Sequence, residues 1–254
     1  MSKSLHSLLR RGVVLLALMF ASRVAAAGPT TRPYVLHLPG IGGTMYVDRM
    51  FVKGLRAGHC DAEIQIYDWT EHDPGIDALH AIDRNRKQAA HVAGFLGRRI
   101  ERWPDERIVI TSHSGGGALA VWTLEDLPRD ARVDDVFLLA PALSPNYDLT
   151  PALSHVRGHM YVFSSESDEL VLGFGCRMFG TMDGVLTDAA GRVGFVRPRN
   201  GDPEEYRKLI NVPYQAAWLR YGNYGDHIGP MAWRFVAHVV APLVIGEPND
   251  PPAN

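Results

Sequence analysis

The run Arg107-Ile108-Val109-Ile110-Thr111 leads straight into Ser112-His113-Ser114-Gly115-Gly116-Gly117, and this junction constrains the fold more than any other stretch of the chain. β-Branched residues favour a strand. A strand that turns at once into a helix leaves the residue between them in a sharply bent backbone. Its flanks must then be nearly free of side chain so that helix and strand can approach each other. Gly115, Gly116 and Gly117 meet that demand. The pattern is G-x-S-x-G with Ser112, still a small residue, in place of the first glycine. It presents Ser114 at the tip of the turn.

Similar junctions recur along the chain. Strand-length apolar runs are read at Tyr34–Leu38, Glu63–Trp69, Arg107–Ser112, Asp135–Ala140 and His159–Ser164, with a weaker one near Gln215–Tyr221. Helical periodicity is read at Ile76–Trp103, Gly116–Leu127 and Met231–Val244, and more loosely at Tyr46–Arg56. Strands that alternate with helices predict an α/β fold with a mostly parallel sheet of about six strands and helices on both faces. In such sheets ligands sit beyond the carboxyl ends of the strands, where Ser114 falls. Residues 169–213 are less regular, mixing Leu170, Val171, Leu172, Phe174, Met178, Phe179 and Met182 with glycines. They read as an insertion, or partial lid, whose apolar side chains either pack on the sheet or line an acyl pocket.

With 46% hydrophobic and 21% charged residues among 254, the chain can bury a large core as one domain. A net charge of −2 with no basic block argues against nucleic acid as a partner; Arg84, Arg86 and Lys87 read as the solvated face of a helix. The first residues form a separate unit. Lys3, Arg10 and Arg11 precede the apolar stretch Gly12–Ala21, and Ala25-Ala26-Ala27 precedes Gly28, the order of a secretory signal peptide. The apolar stretch falls short of the roughly 20 residues a membrane span needs. The expectation is therefore an exported protein, periplasmic or extracellular, by the general or the twin-arginine route, with no stable membrane span after cleavage near Ala27. The domain proper is then 28–245, and the polar, proline-rich 246–254 is a tail that does not fold alone. Export invites a disulfide between Cys60 and Cys176, but the two fall at opposite ends of separated strands, which is too far for one.

A serine hydroxyl needs a base to take its proton and a carboxylate to hold that base. Ser165-Glu166-Ser167-Asp168 follows a strand, placing Asp168 at a carboxyl end, with Glu166 or Asp148 as alternatives. Tyr224-Gly225-Asp226-His227-Ile228-Gly229 places His227 in a glycine-flanked loop before the last helix, whereas His80, His91 and His238 fall within helices. His113 is adjacent to the nucleophile, and neighbours at a tight turn point apart, so it reads as a packing or pocket-lining residue and not as the base. His59, Cys60 and Asp61 lack a second cluster with ligand spacing, so no metal is expected. Gly40-Ile41-Gly42-Gly43 has Met45 where a dinucleotide fingerprint needs its third glycine, and no phosphate-loop lysine follows. No cofactor is expected.

In the order Ser114, Asp168, His227, the chain resembles the α/β-hydrolase superfamily from about Tyr34 to Val244. The resemblance implies a Ser–Asp–His triad, with His227 as base and then acid and Asp168 orienting it. It also implies an oxyanion hole from the N–H of Gly115 and an N–H of the loop His37–Gly43, with Ile41 favoured and Gly42 the alternative. The first strand comes so soon after the cleavage site that the implied sheet is reduced, without the two leading strands of the full family. The implied activity is hydrolysis of a small-molecule carboxylic ester through an acyl-enzyme on Ser114, with a tilt towards short or medium acyl groups. Acyl transfer, or a binding protein that has lost catalysis on the same scaffold, are the alternatives.

Overall fold

In the computed structural model, residues 32–71 and 73–246 are described. The expected signal peptide 1–27 and tail residues 247–254 lie outside them.

Six parallel strands form one sheet: β1 (Tyr34–Leu38), β2 (Glu63–Ile66), β3 (Ile108–His113), β4 (Asp135–Leu139), β5 (Met160–Ser164) and β6 (Leu209–Pro213). Their spatial order is β2-β1-β3-β4-β5-β6. The pleat sorts the side chains by alternation. Leu36, Ile110, Leu138 and Val162 pack on one face, under helices α3 (Ile82–Arg102) and α4 (Gly116–Glu125). Val35, Val109, Phe137 and Phe163 pack on the other, with Phe51 of α1 (Tyr46–Ala57) and Phe235, Val236 and Val240 near the C-terminus. Each such fully buried side chain contributes about 1.5–3 kcal/mol relative to exposure. Burial on both faces gives β3 and β4 their near-continuous apolar runs.

Several readings need correction. The sixth strand is Leu209–Pro213, whereas Ala216–Tyr221 is a 3-10 helix. Leu209, Ile210 and Val212 supply the β-preferring run and pair with β5 in the register Met160↔Leu209 to Ser164↔Pro213. Pro213 is tolerated because β6 is an edge strand. The segment 169–213 is therefore not wholly an insertion, since its end belongs to the sheet. The long helical pattern from Ile76 breaks at Ala81 (φ −81°, ψ 53°), giving α2 (Ile76–His80) and α3. The last helix begins at Trp233 and contains a π turn at Val236–Val240 before Ala241–Ile245. Arg86 is also less free than its charge implies: it pairs with Glu125 at 2.7 Å and lies over the Trp122 ring at 4.3 Å, joining α3 to α4.

Both cysteines are free and buried. Burial, followed by the charges of Asp168, Asp188 and Asp183, pushes the Cys176 thiol up to about 12, so it is an inert core residue. Among the described residues, no helix is long and apolar enough to cross a membrane, and no cluster of His, Cys, Asp or Glu is placed to hold a metal ion.

Candidate active site

Ser114 occupies the turn between β3 and α4 with φ +54°, a left-handed conformation that costs a non-glycine residue energy and persists only when its surroundings enforce it. The surroundings are close backbone contacts. A Cβ on Gly116 would lie 2.2 Å from the Leu38 carbonyl oxygen and 2.4 Å from that of Pro39. One on Gly117 would lie 2.7 Å from Pro141 Cβ, and one on Gly115 2.6 Å from Ile41 Cγ2. Each of the three glycines therefore admits a different neighbour. The Ser114 N–H donates to the Leu139 carbonyl at 3.0 Å, and the Ser114 carbonyl accepts from Ala142 N–H at 3.1 Å, fixing the turn against the end of β4.

The structure brings Ser114, His227 and Asp168 together from three separate segments. His227 Nε2 lies 3.0 Å from Ser114 Oγ, and its Nδ1 lies 2.7 Å from Asp168 Oδ2. A neutral imidazole fits this chain, with Nδ1–H donating to the carboxylate and Nε2 accepting from the hydroxyl. Asp168 is 3% exposed. Its other oxygen accepts from the Leu172 N–H at 3.4 Å, so the residue caps the following helical turn while also facing His227. Asp148 instead accepts from Thr150 and Asn200, and Glu166 is exposed.

The N–H groups of Gly115 and Ile41 have no acceptor among the described residues. The Gly40 carbonyl accepts from Gly43 N–H at 3.0 Å. In a trans peptide the N–H points opposite to its C=O, so the Ile41 N–H is turned away from that bond. A Cβ on Gly115 would lie 3.5 Å from Ile41 N, whereas one on Gly42 would meet the Met45 side chain at 3.0 Å. Ile41 N thus stands beside the nucleophile turn. The loop is anchored from below by buried polar groups. His37 bonds Asp48 at 3.1 Å and Thr111 at 2.9 Å, while Asp48 accepts from Met45 N–H at 2.7 Å.

Two residues hold the histidine loop: Asn223, which was not singled out from the sequence, and His113, whose bond to that loop was not foreseen. Asn223, 2% exposed, accepts from Gly225 N–H at 2.9 Å, and Gly225 itself has φ +77°. His113 donates through Nε2 to the His227 carbonyl at 2.9 Å, with the two rings 4.8 Å apart. Burial, and then the neighbouring His227, holds the His113 pKa down at about 3. It is thus a fixed neutral donor to the loop and is turned away from Ser114's proton. An Asn before a positive-φ glycine is a turn signal, which could have flagged Asn223. Nothing local marks His113, because its partner is 114 residues away.

The segment after β5 divides between the two roles open to it. Leu172 and Met182 are buried, and Met182 Sδ would stand 3.2 Å from a Cβ on Gly115. Met178, Phe179, Val185 and Leu186 are exposed. Bonds from Met182 N–H to Ala142 O (2.9 Å) and from Gly191 N–H to Pro141 O (2.8 Å) pin the segment to the loop after β4.

No protein-family model matches this sequence, and comparison with curated proteins gives no match. Among solved structures, lipase B of Aspergillus fumigatus is similar with a TM-score of 0.55 at 16% identity, over 89% of this chain and 56% of that one. This chain thus spans little more than half of that lipase. A Bacillus licheniformis lipase in mature form gives 0.47 at 14% identity, over 87% and 95% of the two chains. A cutinase-like protein from a Cryptococcus species gives 0.45 at 16% identity, over 88% and 97%. The chain has the α/β-hydrolase fold, with a six-stranded, wholly parallel sheet.

Proposed function

We propose that this protein is a serine hydrolase that cleaves carboxylic esters through an acyl-enzyme on Ser114. The observation that carries the reading is the unbroken chain Ser114 Oγ–His227–Asp168, at 3.0 and 2.7 Å, beside Gly115 and Ile41 N–H groups that have no acceptor among the described residues. Ser114 Oγ attacks the ester carbonyl carbon while its proton passes to His227 Nε2. The developing oxyanion is received by the Gly115 and Ile41 N–H groups, donors that need no reorganisation as charge forms. Collapse of the tetrahedral intermediate breaks the bond to the alcohol oxygen, which takes the proton from His227. Water then attacks the acyl-enzyme carbonyl and gives its proton to His227; collapse breaks the acyl–Oγ bond, returns that proton to Ser114 Oγ and releases the acid. Asp168 orients the imidazole and stabilises the imidazolium.

The test is turnover of p-nitrophenyl esters graded by chain length. His227→Ala is expected to lower kcat by about a thousandfold or more with folding intact, and Asp168→Asn to follow the same direction. Unchanged turnover in His227→Ala would remove it from the mechanism.

A further inference from the structure

A second cavity, of about 480 Å³, lies on the sheet face covered by the C-terminal helix, out towards the β6 edge. Its floor is Tyr161 of β5 with Ile210 and Val212 of β6, and Trp218 and Leu243 close its sides. Ser114, His227 and Asp168 are not among the residues lining it. Phe163 and Trp218 also border the small space beside Asp168, so they form the partition between the two. The volume falls in the range of small-ligand sites, and an apolar bed with few polar groups at its margin is their usual composition.

The margin carries one fixed charge, and it is positive. Arg220, His159 and His238 line it, and no acidic residue does. Arg220 makes no ion pair among the described residues, and its guanidinium lies over the Tyr221 ring at 4.7 Å. The Tyr161 hydroxyl likewise has no hydrogen-bond partner among the described residues, which leaves a further donor on the floor. Asp135, the carboxylate whose field reaches Tyr161, is already engaged by Arg107 at 2.6 Å and by His159 N–H at 2.7 Å.

We propose that this cavity binds an amphipathic monocarboxylate, its hydrocarbon chain on Tyr161, Ile210 and Val212 and its carboxylate at Arg220. The site is independent of the chemistry at Ser114. Calorimetric titration with octanoate and with 1-octanol tests it. Octanoate is expected to saturate one site and to bind about fivefold more tightly than the alcohol, the size of effect one margin charge supplies. Arg220→Gln should make the two ligands bind alike, and Ala217→Trp, which fills the cavity from an exposed position, should abolish both. Both substitutions are on the surface, and unchanged thermal unfolding would verify the fold. Absence of saturable octanoate binding, equal affinity for octanol in the unaltered protein, or octanoate binding that survives Ala217→Trp would each overturn the proposal; the last would place the ligand elsewhere on the protein.

Discussion

The turn that bears Ser114 and the loop that bears His227 meet across 3.0 Å, yet they are held in place by different forces. The serine turn, besides its bonds to Leu139 and Ala142, is bounded chiefly by exclusion: its three glycines are pressed against Leu38, Pro39, Ile41 and Pro141. The histidine loop is fixed by attraction, through Asn223 on one side and His113 beneath. Steric constraint costs its full energy whenever a single atom is added, whereas a polar tie contributes about 1 kcal/mol and loosens when removed. The first region should therefore fail by unfolding and the second by losing alignment.

Gly116→Ala should produce the largest effect. Its added carbon meets two backbone oxygens that cannot rotate away, so a loss of about 3 kcal/mol is expected in urea denaturation, together with loss of activity. A stability within about 0.5 kcal/mol of the parent protein would show that the turn can relax.

Asn223→Ala should invert that pattern. Stability is expected to drop by only about 1–2 kcal/mol, while kcat for a p-nitrophenyl ester falls by about a hundredfold as the imidazole loses its alignment. A proportionate loss of both would assign Asn223 to the core and remove it from the loop's alignment.

The third effect emerges only in acid. His113 has its pKa depressed from 6.5 to about 3 in the folded protein, so the unfolded chain binds the extra proton first as pH falls. The stability this group contributes is present above about pH 6.5 and is lost progressively towards pH 3. His113→Asn keeps a neutral donor without that titration, so its melting temperature should fall less between pH 7 and pH 4 than that of the parent. Parallel curves would contradict the buried, neutral state assigned to His113.

The same contrast explains what the sequence made legible. Ser114 could be read because its constraint is local: a β-branched run, then glycines, within eleven residues. Asp168 and His227 could be read because each follows a strand or precedes the last helix, and their meeting follows from a parallel sheet that delivers strand ends to one edge. His113 was recognised as a packing residue, but its bond to the His227 carbonyl depends on tertiary approach. The sixth strand was misplaced for a related reason. Trp218 and Tyr221 give Gln215–Tyr221 the composition of a strand, but Leu209–Pro213 is the segment that finds the β5 edge. Propensity yields there to pairing.

The central claim is that Ser114 is an activated nucleophile. Mass spectrometry of the folded protein after treatment with a fluorophosphonate probe tests this most directly. One adduct per chain, on the peptide containing Ser114 and absent from Ser114→Ala, is the expected result. A well-folded sample that stays unmodified, or carries its adduct on another residue, would contradict it.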